Sequence, residues 1–347
     1  MRSDFSGSRH DIWNDSATQE KSVSRSAFSR PGCGTEKSTR MKKRSSAVPV
    51  PSVSWTRRAV AKDNQDVRFH RVRVVRRMPH PGRGFTQGLI TGGDMVWEST
   101  GGYGVSEMAR YRLGAAASET DVARETMMRA ALPAGLFGEG ICRVGDEIWQ
   151  LTWKERVALR WDAATLELRD KVRYNREGWG MCAVGVGHGA VPGAEAAPDA
   201  RPGGDGIEAG EGGIEVVTSD GTSELVRRDP ETLEPRAVVL VRCQGNRVRG
   251  LNDLAWDGVR VWANVAGTTC LCGIDLRSGE VTDIADARAA AERHFADPQA
   301  IMNGIAALAS PGEFLLTGKR WRSIRHVRLA GDRDRGHLGR LLGGLAR

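Results

Sequence analysis

Five short β-prone runs recur along this chain: Met95-Val96-Trp97-Glu98, Glu147-Ile148-Trp149-Gln150, Ile214-Glu215-Val216-Val217, Arg260-Val261-Trp262-Ala263 and Glu313-Phe314-Leu315-Leu316. Their spacing is about 45 to 67 residues. Between them lie further β-rich runs with Asp-x-x-Thr or Asp-x-x-Ser-Gly turns, at Asp162-Ala163-Ala164-Thr165, Asp229-Pro230-Glu231-Thr232 and Asp275-Leu276-Arg277-Ser278-Gly279. A period of this length, with room for four strands, marks a β-propeller, whose repeats bury their apolar faces only against each other. Five repeats predict an all-β, five-bladed β-propeller. A β-sandwich would not explain why polar motifs fall at the same place in each repeat, clustered at one mouth of a channel. Val67 to Arg77 precedes the first repeat and is expected to supply the outer strand of the last blade, closing the ring. One short helix is expected, over Ala285 to Phe295.

The net charge of +8 raises a nucleic-acid reading, which its distribution removes. Residues 1–65 hold 13 Lys or Arg against 6 Asp or Glu, and the tail 331–347 holds 4 against 2. The intervening part is close to neutral. Residues 1–65 are rich in Ser, Arg and Lys with few large apolar residues, so they are expected to form a disordered basic extension. They contain no apolar run of signal-peptide length, and nothing in the chain approaches a membrane span. Ser/Arg richness is compatible with an organellar transit peptide, but six acidic residues oppose it. The run Met41-Lys42-Lys43-Arg44 reads as a solvated basic cluster. A Gly/Ala/Pro-rich stretch over 183–213 interrupts an apolar pattern that resumes at Ile214, as a disordered loop between two strands would. The expected organisation is thus an extension 1–65, a propeller 66–330 containing the insertion 183–213, and a basic tail 331–347.

Six cysteines, Cys33, Cys142, Cys182, Cys243, Cys270 and Cys272, are too few for a disulfide scaffold in 347 residues. Cys270 and Cys272 share one side of a strand, but no second pair or His cluster completes a zinc site. Free thiols are expected. Glycine-rich stretches lack the strand-to-helix setting of a phosphate loop.

Chemistry concentrates in Leu136-Phe137-Gly138-Glu139-Gly140, Gln150-Leu151-Thr152-Trp153 and Glu177-Gly178-Trp179-Gly180. Glycines flanking Glu139 let backbone approach a ligand closely. A carboxylate walled by indoles is desolvated, which raises its pKa toward the range where it moves protons both ways near neutral pH. The alternative is a Glu139 that caps a turn beside two core tryptophans. Phe85-Thr86-Gln87-Gly88-Leu89, Glu98-Ser99-Thr100-Gly101, Ser219-Asp220-Gly221-Thr222, Leu251-Asn252-Asp253-Leu254, Ala263-Asn264-Val265, Asn303-Gly304-Ile305-Ala306 and Thr317-Gly318-Lys319 complete the series.

Taken in order, from about Val67 to about Leu329, these motifs resemble the plant and bacterial glutaminyl-peptide cyclotransferases (glutaminyl cyclases), a five-bladed propeller family. The resemblance implies conversion of an N-terminal glutamine to pyroglutamate with release of ammonia. It implies Glu139 as proton shuttle and Lys319 as a second catalytic group stabilising the oxyanion. Phe85, Gln87, Trp153, Trp179 and Asn252 are implied as substrate contacts, and Glu98 and Asn303, which lie in matching motifs, are read as supporting or blade-turn residues. This chemistry needs no organic cofactor and no catalytic metal. The implied partners are peptides or proteins beginning with glutamine, with no nucleic acid and no membrane, and the enzyme is expected to be a monomer.

The chain also departs from the family's pattern. Ala266 stands where a tryptophan usually follows Ala-Asn-Val. Leu251-Asn252-Asp253-Leu254-Ala255 replaces Leu-Asn-Glu-Leu-Glu, Trp179-Gly180-Met181-Cys182 replaces Trp-Gly-Leu-Thr, and Pro79-His80-Pro81 lacks the acid of Pro-His-Asp-Pro. These changes keep open a second reading, a propeller that binds peptides or protein partners without turnover.

Overall fold

A computed structural model describes residues 67–82, 84–114, 127–185, 213–292 and 297–331. All of them belong to the compact unit Pro49–Arg347. The extension expected over 1–65, Cys33, nearly all of the tail and most of the insertion lie outside the described residues. At the start of the insertion, strand pairing continues past Ala183 to Gly185.

The described residues are all-β, with no helix among them. Strand β1 (Arg68–Pro79) comes first. A first meander follows: β2 (Thr86–Gly92), β3 (Met95–Thr100), β4 (Glu107–Arg112) and β5 (Met128–Ala131). The second is β6 (Gly138–Val144), β7 (Glu147–Thr152), β8 (Val157–Asp162) and β9 (Leu168–Arg173). The third is β10 (Met181–Gly185), β11 (Ile214–Ser219), β12 (Glu224–Arg228) and β13 (Pro235–Leu240). A two-strand ribbon, β14 (Arg242–Cys243) and β15 (Asn246–Arg247), leads into the fourth. That meander is β16 (Leu251–Trp256), β17 (Val261–Val265), β18 (Cys270–Ile274) and β19 (Val281–Asp286). The last run is β20 (Met302–Ala307), β21 (Glu313–Gly318) and β22 (Ser323–Gly331), with β1 hydrogen-bonded beyond β22.

Strand β1 pairs antiparallel with β22, as expected for the segment from Val67, and also parallel with β19. That second pairing fuses the last two meanders into one eight-stranded sheet. It also explains a contrast in burial. Outer strands β5, β9 and β13 are mostly exposed, whereas β19 is almost wholly buried. The helix expected over Ala285 to Phe295 is absent from its described part, residues 285–292, and the rest of it lies outside the described residues. Residues 281–286 are strand β19 and residues 288–290 are a turn. Alanine-rich propensity is outweighed by pairing on both edges of β19.

Five apolar clusters fill the spaces between successive meanders. Ile141 and Ile148 pack toward the first meander with Trp97 and Met108. Their chain neighbours Cys142 and Trp149 pack toward the third with Met181 and Val216. This is the two-faced alternation of a strand buried on both sides. Further clusters join the third meander to the fourth and the fourth to the fifth. The last joins the fifth back to the first through Leu89, Val96, Ala306 and Leu315. The repeated tryptophans bind these neighbours: Trp97 Nε1 donates to Ala163 O (2.8 Å) and Trp149 Nε1 to Pro230 O (2.8 Å). Both acceptors lie in the Asp-x-x-Thr turn of the next meander. There Asp162 and Asp229 accept two backbone N–H bonds each, the Asx-type bonding that makes Asp favoured at such turns.

The first strands of the meanders contact one another in a closed cycle. Glycine permits the closest approaches: a β-carbon on Gly140 would lie 2.5 Å from Gly180 Cα, and one on Gly180 would lie 2.0 Å from Asn252 O. The result is an all-β, propeller-like arrangement. The described cysteines, Cys142, Cys182, Cys243, Cys270 and Cys272, are free and buried.

Candidate active site

One backbone hydrogen bond recurs where first and second strands meet. The residue after the second strand donates its N–H to the carbonyl before the first strand: Gly101 to Phe85 (2.9 Å), Trp153 to Phe137 (3.0 Å), Ala266 to Gly250 (2.8 Å) and Lys319 to Ile301 (2.9 Å). In the third meander, Ser219 pairs with Gly180 as Ser99 pairs with Gly88, which places Glu177 and Gly221 at the matching positions. Two residues further along the first strands come Gln87, Glu139, Trp179, Asn252 and Asn303. The register breaks there in four of the five meanders, turning side chains toward the common centre. All seven site residues expected from the sequence (Phe85, Gln87, Glu139, Trp153, Trp179, Asn252 and Lys319) therefore lie on two tiers of one mouth.

Glu139 is 5% exposed. Gln87 Nε2 donates to its Oε1 at 3.2 Å, and Asn303 Nδ2 donates to Gln87 Oε1 at 3.0 Å. Because an amide has one acceptor oxygen and one donor nitrogen, Asn303 sets which way Gln87 faces. Burial drives the Glu139 carboxyl well above the ordinary carboxylate range. The positive charge of Lys319 opposes that rise, and the nearby carboxyls of Asp253, Glu177 and Glu155 reinforce it. Lys319 is lowered by burial, against the attraction of Glu139. Its Nζ lies 4.6 Å from the centroid of the Phe85 ring, a cation–π contact that keeps the amine on the aromatic side of the mouth.

Aromatic rings wall this side. Phe137 packs against Trp153 (centroids 5.4 Å), Tyr103 (5.4 Å) and Phe85 (6.4 Å). Tyr103 donates to Glu155 Oε1 at 2.8 Å, and Glu155 Oε2 accepts the Phe137 N–H at 3.3 Å. Trp179 Nε1 and Asn252 Oδ1 are buried without a hydrogen-bond partner among the described residues. Asp253 replaces the glycine that follows Gln87, Glu139 and Trp179. Its Oδ2 accepts the Ile305 N–H at 2.9 Å, and burial raises its carboxyl well above the usual range.

Two contributions were missed in the sequence. Phe137 was noted only as part of a motif, yet it joins the other rings. Glu98, expected as a supporting residue, belongs to a fully buried pair with His80 Nε2 (2.9 Å), and also accepts from Thr86 Oγ1 (2.6 Å) and Tyr111 OH (3.0 Å). His80 Nδ1 lies 3.0 Å from Trp321 O, which anchors the turn following Lys319. Burial opposes both charges, but opposite charge and hydrogen bonds together outweigh it, so His80 is raised and Glu98 lowered. Among the described residues no group of three or more His, Cys, Asp or Glu could hold a metal.

Comparison with known proteins shows the family. The sequence matches the family model described as "Glutamine cyclotransferase" over residues 47–188 and 202–329, with the break inside the Gly/Ala/Pro-rich insertion. It is 25% identical over 288 residues to the glutaminyl-peptide cyclotransferase of Arabidopsis thaliana, covering 81% of this chain and 78% of that protein. The crystal structure of Myxococcus xanthus glutaminyl cyclase is similar with a TM-score of 0.60 at 25% identity, over 77% of this chain and 99% of that one. The chain belongs to the glutamine cyclotransferase family.

Proposed function

We propose that this protein is a glutaminyl-peptide cyclotransferase that converts the N-terminal glutamine of peptides or proteins to pyroglutamate. The observation that carries the reading is Glu139, a buried carboxyl held by Gln87 and influenced by the charge of Lys319. The substrate's neutral α-amine attacks its own side-chain carboxamide carbon, forming the C–N bond of a five-membered lactam. Because nucleophile and electrophile belong to one residue, the protein adds orientation and proton transfer. Glu139 takes a proton from the attacking amine and delivers it to the departing nitrogen, so the old C–N bond breaks and ammonia leaves. Burial supports this role, because a carboxyl raised above the ordinary range is a stronger base than an exposed one and still returns the proton it takes. Lys319 stabilises the negative charge on the carboxamide oxygen during the addition. Phe85, Trp153 and Trp179 exclude water and favour the uncharged amine. Asn252 bonds the substrate through the oxygen that has no partner among the described residues.

The same reading takes the five four-strand groups as blades of a five-bladed propeller, with β1 completing the last. The closed cycle of first strands and the five clusters between meanders support it. It also takes residues 66–330 as the catalytic domain, which works as a monomer.

The test is to incubate the protein with a short peptide beginning with glutamine. Appearance of a product lighter by one ammonia, with no free α-amine, is the expected outcome. An unchanged peptide that nevertheless binds would favour the non-catalytic reading.

A further inference from the structure

Resting on the catalytic reading above, we infer that the sector of the mouth bounded by Glu177, Gly250 and Ala266 receives the residue that follows the substrate's glutamine. Ala266 then sets how large that residue can be. The recurring hydrogen bond makes Gly101, Trp153, Ala266 and Lys319 equivalent, with Gly221 matched to them by register. Four of these five positions are filled at the mouth. Trp153 and Lys319 fill theirs with their own side chains. A β-carbon on Gly101 would lie 2.1 Å from the Phe137 ring, and one on Gly221 would lie 2.7 Å from the Trp179 ring, so aromatic neighbours occupy those two.

The fourth meander differs. Gly250 and Ala266 are both small, where the second meander has Phe137 and Trp153 in the same relation. Nothing lies closer than 3.6 Å to where a Gly250 β-carbon would sit, and the Ala266 β-carbon is 3.8 Å from that point. Ala266 itself is partly exposed.

The direction of the peptide follows from the chemistry. The α-amine and the carboxamide both turn inward toward Glu139, so the α-carbonyl and all that follows must leave the mouth. Interlocked rings of Phe85, Phe137, Tyr103 and Trp153 occupy the first and second meanders, which carry Gln87 and Glu139. The way out passes Trp179 and crosses Gly250 and Ala266. A large second side chain can lie there against the Trp179 ring, where a bulky residue at position 266 would collide with it. The structure therefore assigns to this chain a preference for peptides whose second residue is large and apolar.

Binding separates this inference from turnover. In full-length protein carrying Glu139→Gln, calorimetry with Gln-Gly-amide and Gln-Trp-amide should show the tryptophan peptide binding about tenfold more tightly, a step of one decade in Kd. Adding Ala266→Trp should abolish that advantage and leave Gln-Gly-amide within about twofold of its former Kd. Ala266→Leu serves as a smaller change should the tryptophan variant fail to fold, with a partial loss expected. Equal binding of the two peptides before Ala266 is changed, an unaltered preference after it, or failure of both peptides to bind would overturn the inference. So would an equal change for both peptides, which would place Ala266 in the wall of the glutamine pocket. Ammonia release by the protein with Glu139 intact is read separately. Its absence, with the binding preference present, would sink the catalytic reading while leaving the peptide path standing.

Discussion

Glu139 and Lys319 set one another's protonation: burial raises the carboxyl and lowers the amine, and their mutual attraction opposes both shifts. Activity that depends on the Glu139 carboxylate should rise with pH along a limb displaced above the ordinary carboxylate range. Replacing Lys319 with methionine removes a positive charge that holds the carboxyl down, so the limb should move to still higher pH. The maximal rate should also fall by about 10²-fold through loss of oxyanion stabilisation. A pH profile of kcat/KM checks both, and a limb moving to lower pH would reverse the assigned interaction. As candidates, Glu139, Gln87 and Lys319 were legible only through the ordered series of motifs that carries the family resemblance, not through any one run. The bond from Asn303 to Gln87 was not, since the partners are 216 residues apart and meet only when the last meander returns to the first. The Glu98 pair with His80 was hidden for a related reason: nothing local distinguishes a buried carboxylate from a turn carboxylate until its partner is placed.

Strands rather than single side chains decide where β1 docks, and Asp283 on β19 is its clasp. This nearly fully buried carboxylate accepts both Arg68 Nε (2.9 Å) and Arg68 Nη2 (2.9 Å), pairs with His70 Nε2 (2.7 Å), and also pairs with Arg260. These partners overcome burial and hold Asp283 below the carboxylate range. A depressed folded-state pKa gives stability that is complete above the unfolded value and is lost as pH falls toward the folded one. Asp283→Asn should therefore lower Tm at pH 7 by about 6 °C or more and flatten its decline in acid. Thermal melts across pH 3 to 7 measure both effects. Gly180→Ala should destabilise by about 1–3 kcal/mol, because its new methyl would meet the Asn252 carbonyl; chemical denaturation reads this directly, and an unchanged midpoint would contradict the close approach. At this scale the tryptophan repeats and Asp turns were readable, since Trp97 and Trp149 dock on the Asp turns of the next meander. The Ala285 region misled because its composition favours a helix, whereas its fate is set by distant strand β1.

At the scale of the whole molecule, the first and last described strands, β1 and β22, meet. Strand β1 covers the outer edges of both β19 and β22, edges that would otherwise be open to association. Removing residues 1–65 should leave catalysis within about twofold, because every residue assigned a role lies beyond them. Removing the chain through Pro79 should give a protein that melts earlier and aggregates, as size-exclusion chromatography would show. The period of the repeats made the all-β architecture legible, but the fusion of two meanders through β1 depends on an ordering of strands that no local pattern encodes. What the assembled mouth does rests on one proton-carrying group, so the most direct measurement is the rate of ammonia release from a glutamine-initiated peptide by the intact protein and by Glu139→Gln. The account predicts release by the first and a loss of about 10²–10⁴-fold in the second, with peptide binding retained. Equal rates in the two proteins would contradict it.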